Sequence, residues 1–420
     1  MRDTFRSLGN RNYRRYAAGG VVSNVGTWMH RIGQDWLVLQ LTGGSAVALG
    51  ITTGLQFLPF LLLSLTAGAV ADRVSKVRLL QATNLAMALP AVVLGLLAVT
   101  GRAEVWQVYA LALLSGTAAA FDAPARQSFV PELVSDHDLP NAVGLNGASF
   151  NLARLIGPGL AGLLIAVLGG GAEAAGWVLL INSASYLAPI LALRRIEADL
   201  GPGTTSSASS RGRIREGLRY VAGRRDLLLV MAIMGWAATF GLNFQMTAAL
   251  MSTQVFGKGP TEFGLLGTFL ALGSLTGALL AAGRTTSRRR TLVLAALAFG
   301  AADVVAGLMP TYTAYALVTP LIGLTAMTMI NAASTYLQVH SDPLLRGRVT
   351  ALYMVVFLGG TPLGSPIVGW VGEVYGGRWT LIAGGAITIV GVLLSVLVIH
   401  GTDYRAGAGR SVLELERRSE

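Results

Sequence analysis

Long apolar segments recur along the whole 420-residue chain, and they constrain its fold more than any other feature. Charged residues or Gly and Pro turns bound each segment, and a length of roughly 20 residues is enough to cross a lipid bilayer as an α-helix. Twelve such segments occur, at residues 17–41, 45–71, 78–100, 105–121, 141–168, 176–193, 227–251, 262–282, 291–309, 314–335, 348–373 and 379–399. The sequence therefore predicts an all-α membrane protein with twelve transmembrane helices.

The composition agrees with a membrane protein and argues against several other classes. Apolar residues make up 53% of the chain and charged residues only 13%, with a mean hydropathy of +0.59, whereas soluble domains have a charged fraction of about 25%. The chain has no Cys and only four scattered His, so we expect neither disulfides nor a metal site. We also expect no cofactor and no enzymatic activity, because no nucleophilic triad or Walker A phosphate loop occurs.

The Lys and Arg residues are distributed unevenly between the two ends of the predicted helices. If the N-terminus is cytoplasmic, 27 of the 32 basic residues lie on cytoplasmic segments, and the outer loops carry only Arg102, Lys258 and Arg378. This bias is typical of multi-pass membrane proteins. It predicts that both termini are cytoplasmic, and it accounts for the net charge of +11 without a nucleic-acid partner.

One long polar segment, residues 194–226, separates the sixth and seventh predicted helices. It contains the flexible sequence GPGTTSSASS and then IREGLRYVAGRRDLL, which is typical of an amphipathic helix on the anionic inner leaflet. A regulatory partner that binds its Arg residues is the alternative. The segment divides the chain into an N-terminal six-helix bundle (1–193), a cytoplasmic linker (194–226), a C-terminal six-helix bundle (227–400) and a cytoplasmic tail (401–420).

Short patterns recur between the two predicted bundles. SLTAGA, which starts at Ser64, recurs as SLTGAL from Ser274, and Pro158 corresponds to Pro362. The matches keep their order and have offsets of 204 to 210 residues, so they favour a repeat over chance similarity between apolar helices. Two parallel six-helix repeats around a midplane site are typical of secondary transporters.

A compact charged turn, GAVADRVSKVR, joins the second and third predicted helices. It resembles the motif A loop of the major facilitator superfamily, G-x-x-x-D-R-x-G-R-R, with Ser75 at the second Gly position. A solvated hairpin with no further role is the alternative. The resemblance implies a cytoplasmic gate, in which five residues hold the inner side closed when the cavity opens outward: Gly68, Asp72, Arg73, Arg78 and Asp122.

The fifth predicted helix carries a second pattern of small residues. Gly144, Gly157, Pro158 and Gly162 resemble motif C, which is associated with exporters of the same superfamily, although Ala occupies two of its Gly positions. Small residues let helix backbones approach closely, and Pro bends a helix. We predict hinge positions at Gly157, Pro158, Gly162 and Pro362, with close packing as an equally weighted alternative.

The segment Phe121–Gly162, together with the early sequence VGTWMHRIGQDWLVLQLTG, resembles the transmembrane secretion effector branch of this superfamily, whose members resemble siderophore and macrolide exporters. The resemblance covers nearly the whole chain. It implies the major facilitator fold with two six-helix pseudo-repeats. It also implies a multi-pass transporter of the bacterial inner membrane, surrounded by membrane lipid, that exports amphipathic small molecules by proton-driven alternating access. A lipid or nutrient importer and a non-transporting membrane sensor are the alternatives.

The fourth predicted helix lacks the R-x-x-Q-G pattern often tied to proton coupling, because Ala112 and Ser115 stand at its Arg and Gln positions. We therefore expect the coupling group on the polar face of the first helix. Asp35 is the predicted proton-responsive residue, with Arg154 as its favoured alternating partner and Arg31 as the other candidate. A purely structural Arg31–Asp35 pair, one helical turn apart, stays open at this point.

The resemblance places the first, fourth, seventh and tenth helices around a central cavity. An aromatic wall with a few amides suits a bulky, mostly apolar solute better than a sugar. The predicted lining residues are Asn24, Trp28, Trp236, Phe240, Asn243, Phe244 and Asn331. Ordinary helix packing is the alternative for each aromatic residue, and the sequence does not specify the substrate or the oligomeric state.

Overall fold

The computed structural model describes residues 3–196, 210–282 and 288–417, and helices account for most of them, with no β-strand in these ranges. An all-α fold is therefore confirmed. Twelve long helical spans follow one another: α1 (Arg11–Thr42), α2 (Ala46–Arg73), α3 (Lys76–Val99), α4 (Val105–Leu133), α5 (Leu139–Val167), α6 (Ala172–Arg194), α7 (Arg225–Val255), α8 (Pro260–Ala282), α9 (Arg289–Leu308), α10 (Tyr312–His340), α11 (Arg346–Tyr375) and α12 (Gly377–Arg417).

The spans have the length and composition that a bilayer requires. Within the described ranges, eleven of them contain a stretch that is long and apolar enough to cross a membrane. The exception is α1, which carries polar and charged residues along much of its length. Its 32 residues still exceed the roughly 20 needed to cross a bilayer, so the polar face of α1 must be covered by protein or water.

The turn between α1 and α2 illustrates how local sequence sets the helix ends. α1 ends at Gly43, whose φ of 63° is the left-handed conformation that glycine adopts without strain. Ser45 then caps α2, because its side chain accepts a hydrogen bond from the backbone N–H of Ala48. This three-residue connection forces α1 and α2 to run antiparallel.

Two spans are interrupted. α6 consists of two helical segments, Ala172–Ser185 and Leu187–Arg194, that meet at Tyr186. α7 contains π-helical turns at Ala237–Gly241 and Met251–Val255, and its backbone leaves the helical conformation at the two residues that follow the first turn. Irregular backbone is tolerated at membrane depth only where it is buried in protein or lines a cavity.

α4 extends further than the sequence predicts, ending at Leu133 rather than near residue 121. The prediction ended the helix at the first charged residue, Asp122. That carboxylate is instead buried within the helix, where it accepts hydrogen bonds from Arg126 and from Thr83 of α3, both at 2.8 Å. A buried charge that is paired and hydrogen-bonded does not end a helix.

The helices form two halves, α1–α6 and α7–α12, that meet along two crossings. In the α2–α11 crossing, a Cβ atom on Gly50 would lie 2.4 Å from the carbonyl oxygen of Ser365. In the α5–α8 crossing, a Cβ atom on Gly162 would lie 2.3 Å from the carbonyl oxygen of Pro260. Glycine is therefore required at both crossings, because the two backbones are in contact there.

We call the face that carries the start of α1 and the end of α12 the basic face, and the other the opposite face. Hydrogen bonds close the opposite face. The Glu373 carboxylate at the end of α11 accepts bonds from Ser45 Oγ at 3.1 Å and from the Ala46 N–H at 2.7 Å. In addition, the Gln254 amide donates to the Gly44 carbonyl at 2.6 Å.

Toward the basic face the two halves separate. The α2–α11 contact continues as far as Leu61, which lies 2.6 Å from the position of a Cβ on Gly359. Beyond it, no other heavy atom lies within 4 Å of the corresponding position on Gly68, and the same holds for Gly144 and Gly147 of α5. The molecule is thus closed at the opposite face and open at the basic face.

The linker contains a helix, Ser210–Ala222, which we call the linker helix. Its Glu216 carboxylate forms an ion pair with Arg348 of α11 at 2.5 Å, and the Tyr220 hydroxyl accepts a hydrogen bond from the Asp342 N–H at 3.0 Å. The linker thus contains a helix that is docked on the C-terminal half, and its position on the inner leaflet stays a prediction. Most of the predicted GPGTTSSASS segment lies outside the described residues.

Candidate functional site

A cavity of about 180 Å³ lies between the two halves, next to the crossings. Six spans line it: α1, α2, α5, α7, α8 and α11. Its volume corresponds to about six water molecules at ~30 Å³ each. Its polar lining residues are Arg31 and Asp35 of α1, Thr53 and Gln56 of α2, Arg154 of α5, Asn243 and Gln245 of α7, and Thr361 of α11.

Two guanidinium groups approach one indole ring in the cavity. The guanidinium carbon of Arg31 lies 4.6 Å from the centroid of the Trp28 ring, and that of Arg154 lies 5.5 Å from it. Arg31 also lies 5.7 Å from the Phe57 ring centroid. Such cation–π contacts partly replace the water that the two cations lose on burial.

Asp35 links the two halves. It is only 6% exposed, and it lines the cavity together with Arg31 of its own helix and Gln245 of α7. Among the described residues, neither predicted partner forms an ion pair with Asp35 in this conformation. Arg31 lies one helical turn from Asp35 on α1, and the guanidinium groups of both Arg31 and Arg154 lie over Trp28.

Gln245 was not predicted from the sequence. It stands just after the interruption of α7, so its position in the cavity depends on a backbone feature that helical periodicity does not reveal. The one available signal is its place beside the predicted residues Asn243 and Phe244, both of which line the cavity.

Asn243 occupies the interruption itself. Its amide nitrogen donates to the Thr239 carbonyl at 2.9 Å, but its amide oxygen is buried without a hydrogen-bond partner. Leaving a buried acceptor unsatisfied costs roughly 1–3 kcal/mol.

The predicted aromatic stripe of α7 is divided. Phe244 lines the cavity, whereas the Trp236 and Phe240 rings stack on each other with centroids 6.0 Å apart. Trp236 packs against α12, where a Cβ on Gly391 would lie 2.3 Å from its ring. The prediction assumed a regular helix, but the π-helical turn between Trp236 and Phe244 changes which face the later residues occupy.

Two further predicted lining residues lie away from this cavity. Asn24 of α1 donates a hydrogen bond to Ser149 of α5 at 3.5 Å. Asn24 lies one helical turn before Trp28, on the basic-face side of the cavity. Asn331 of α10 is absent from the described lining of the cavity. α10 instead contributes to an apolar cavity of about 90 Å³ that shares Arg154 and Phe244 with the first.

The predicted hinge residues all lie at close helix contacts. A Cβ on Gly157 would come 2.6 Å from Cβ of Trp28, so this residue packs α5 against α1. Pro158 and Gly162 contact α8, and the Pro362 carbonyl faces Gly54 of α2. Packing accounts for these four positions; bending at them stays a prediction.

The predicted gate residues lie at the basic face of the N-terminal half. Asp72 and Arg73 are exposed, and Asp122 pairs with Arg126 on its own helix rather than with the motif A turn. The turn is instead joined to α4 by an ion pair between Lys76 and Glu132. Between described residues, no hydrogen bond or ion pair joins these gate residues to the C-terminal half, so a closing role stays a prediction.

Known proteins similar to this chain agree with its architecture. The family model described as transmembrane secretion effector matches residues 3–406. The chain belongs to the transmembrane secretion effector family. Members of this family belong to the major facilitator superfamily, so the predicted fold and family are confirmed.

Individual relatives of this secretion effector point to transport. The multidrug efflux pump Tap of Mycolicibacterium fortuitum is 30% identical over 376 residues, which cover 87% of this chain and 89% of that protein. The staphyloferrin A transporter of Staphylococcus aureus is 36% identical over 144 residues, or 34% and 36% of the two chains. A bacterial homolog of the lysosomal transporter Spinster, solved in an inward-facing and unoccupied conformation, has a TM-score of 0.74 at 15% identity and covers 93% and 97%.

Proposed function

We propose that this secretion effector exports amphipathic small molecules across the bacterial inner membrane by proton-driven alternating access. The observation that carries the proposal is the buried group formed by Arg31, Asp35 and Arg154 around Trp28, in a cavity that opens between two six-helix halves. Intramembrane charges are costly and mark ion or substrate pathways in membrane transporters.

The nature of the solute follows from the cavity and from the relatives. The cavity combines aromatic and apolar walls with a few polar residues, among them Asn243 and Gln245 of α7. Such a lining suits a molecule with a large apolar part and a few hydrogen-bond donors. The resemblance to a multidrug efflux pump over nearly the full length supports export rather than uptake.

Asp35 is the proposed proton carrier. A carboxylate in a low-dielectric site is stabilised by neighbouring polar and cationic groups. Asp35 shares the cavity with Arg31 of its own helix and Gln245 of α7. Because Gln245 belongs to the other half of the molecule, a rocking motion of the halves moves one such neighbour away from Asp35. The protonated form of Asp35 then has a lower free energy than the ionised form, and this couples proton binding to the conformation.

The basic face is the proposed cytoplasmic side, because 27 of the 32 Lys and Arg residues belong there. The structure open at the basic face would then be the inward-open conformation. Closure of this side would bring the motif A residues Asp72 and Arg73, at the end of α2, toward the start of α11, whereas Arg78 faces α6 in this conformation. The exposed backbone N–H groups at the start of α11 favour a carboxylate such as Asp72.

The test is dye efflux from proteoliposomes with and without an imposed pH gradient. Asp35→Asn should abolish the stimulation of efflux by the gradient, because the amide cannot take up a proton. The matched control is Asp303→Asn, since Asp303 of α9 is equally buried, at 2% exposure, but does not line the cavity. Full gradient stimulation in Asp35→Asn would remove Asp35 from the mechanism. A complete lack of transport by the parent protein would favour the sensor alternative.

A further inference from the structure

We propose that two lipid-facing grooves at the basic face each bind the headgroup of an anionic glycerophospholipid between arginine side chains. The grooves lie on the outside of the bundle, far from the central cavity, and the inference is independent of the transported solute. Each groove combines guanidinium groups at the membrane surface with an exposed apolar wall that continues along the spans.

The first groove lies between α3 and α6 and has a volume of about 420 Å³. Arg78 and Arg194 stand at its basic end, where α3 begins and α6 ends. Its walls include Leu85, Leu187 and Leu191, which are 52%, 56% and 51% exposed. A lipid phosphate at the two guanidinium groups would therefore place its acyl chains along exposed leucine side chains.

The second groove lies between α7, α9 and α12 and has a volume of about 450 Å³. Arg289 and Arg290 stand at its basic end, at the start of α9. Its apolar wall includes Val293 and Leu294, and Leu294 is 66% exposed. The groove thus has the same two parts as the first: arginines at the membrane surface and an open apolar wall below them.

The two grooves involve helices that correspond in the internal repeat. α3 and α6 of the first half correspond to α9 and α12 of the second. Arg78 and Arg289 both stand at the start of the corresponding helices α3 and α9, 211 positions apart. The second arginine differs, because Arg194 comes from the end of α6 whereas Arg290 follows Arg289 on α9.

Among the described residues, three of the four groove arginines lack a protein counter-ion, whereas Arg289 interacts with Tyr336 of α10. Other basic residues at this face have acidic partners, such as Arg126 with Asp122 and Arg348 with Glu216. Between described residues, no carboxylate lies within ion-pair distance of Arg78, Arg194 or Arg290. Guanidinium groups bind phosphate through two parallel hydrogen bonds, and basic pockets between helices on the cytoplasmic side suit anionic lipid headgroups.

The experiment counts lipids retained by the purified protein. The protein is reconstituted in nanodiscs of mixed phosphatidylcholine and phosphatidylglycerol and examined by native mass spectrometry after gentle release. The parent should retain two phosphatidylglycerol molecules, Arg194→Gln and Arg290→Gln one each, and the double variant none. Arg346→Gln is the matched control, because Arg346 is exposed on the same face but lies outside both grooves, and it should retain two.

Three results would overturn the proposal. They are retention of no phosphatidylglycerol by the parent, equal retention of phosphatidylcholine, and an unchanged count in the double variant. Displacement of the retained lipid by millimolar inorganic phosphate would identify a general anion site and would contradict a lipid site. Arg194→Lys and Arg290→Lys keep the charge and the fold, so they should regain part of the retention that the Gln variants lose.

Discussion

At the scale of single residues, the cavity carries an excess of positive charge. No carboxylate of the described residues forms an ion pair with Arg31 or Arg154, and both guanidinium groups lie over the Trp28 ring. Asp35 is the one carboxylate in the described lining of the cavity. When Asp35 is protonated, two cations face the cavity without a counter-ion. An anionic group on the solute would then take the place that the Asp35 carboxylate vacates.

This charge balance predicts that Arg154→Gln changes selectivity. Efflux of an anionic dye relative to a cationic dye of similar size should fall about tenfold, which corresponds to ~1.4 kcal/mol of lost interaction. Both rates are measured in the same proteoliposomes. Arg102→Gln serves as the control, because Arg102 is exposed in the loop between α3 and α4. An unchanged ratio would mean that Arg154 does not contact the solute.

At the scale of helices, the two crossings depend on glycine. Gly162→Ala places a methyl group 2.3 Å from a backbone oxygen of α8, so the α5–α8 contact must open. Overpacking of this kind typically costs about 1–3 kcal/mol. We expect a lower thermal unfolding midpoint for the detergent-purified variant. Gly144→Ala lies on the same helix with no other atom within 4 Å and should leave the midpoint unchanged. Equal midpoints for the two variants would contradict the assignment.

Some features of the helices could be predicted from the sequence and others could not. The twelve spans were predictable because the bilayer demands length and apolarity from each segment separately. The end of α4 could not be predicted in this way, because one of the two hydrogen bonds that stabilise the buried Asp122 carboxylate comes from Thr83 of another helix, α3. The side on which Trp236 and Phe240 lie was not predictable either, since the π-helical turn in α7 breaks the periodicity on which the prediction relied.

At the scale of the whole molecule, the two halves contact each other at the α2–α11 and α5–α8 crossings. Contacts at the opposite face are made by Glu373 and Gln254, while the motif A turn at the basic face is exposed. Alternating access also requires the reverse arrangement, a conformation closed at the basic face and open at the opposite face, with nearly the same free energy as the one described here. Groups that stabilise the reverse arrangement are therefore expected at the basic face, where the gate residues predicted from the sequence are among the charged groups.

The final prediction concerns this gate and uses the absence of Cys from the chain, which makes introduced labels unambiguous. Spin labels on Gly144→Cys and Gly347→Cys report the basic face, and labels on Leu168→Cys and Lys258→Cys report the opposite face. In the parent, each pair of labels should show two distances. The conformation with the short basic-face distance should have the long opposite-face distance, and the reverse. Asp72→Asn should remove the short basic-face distance, because closure then lacks its carboxylate at the start of α11. The same distance distribution in Asp72→Asn and in the parent would exclude Asp72 from the gate.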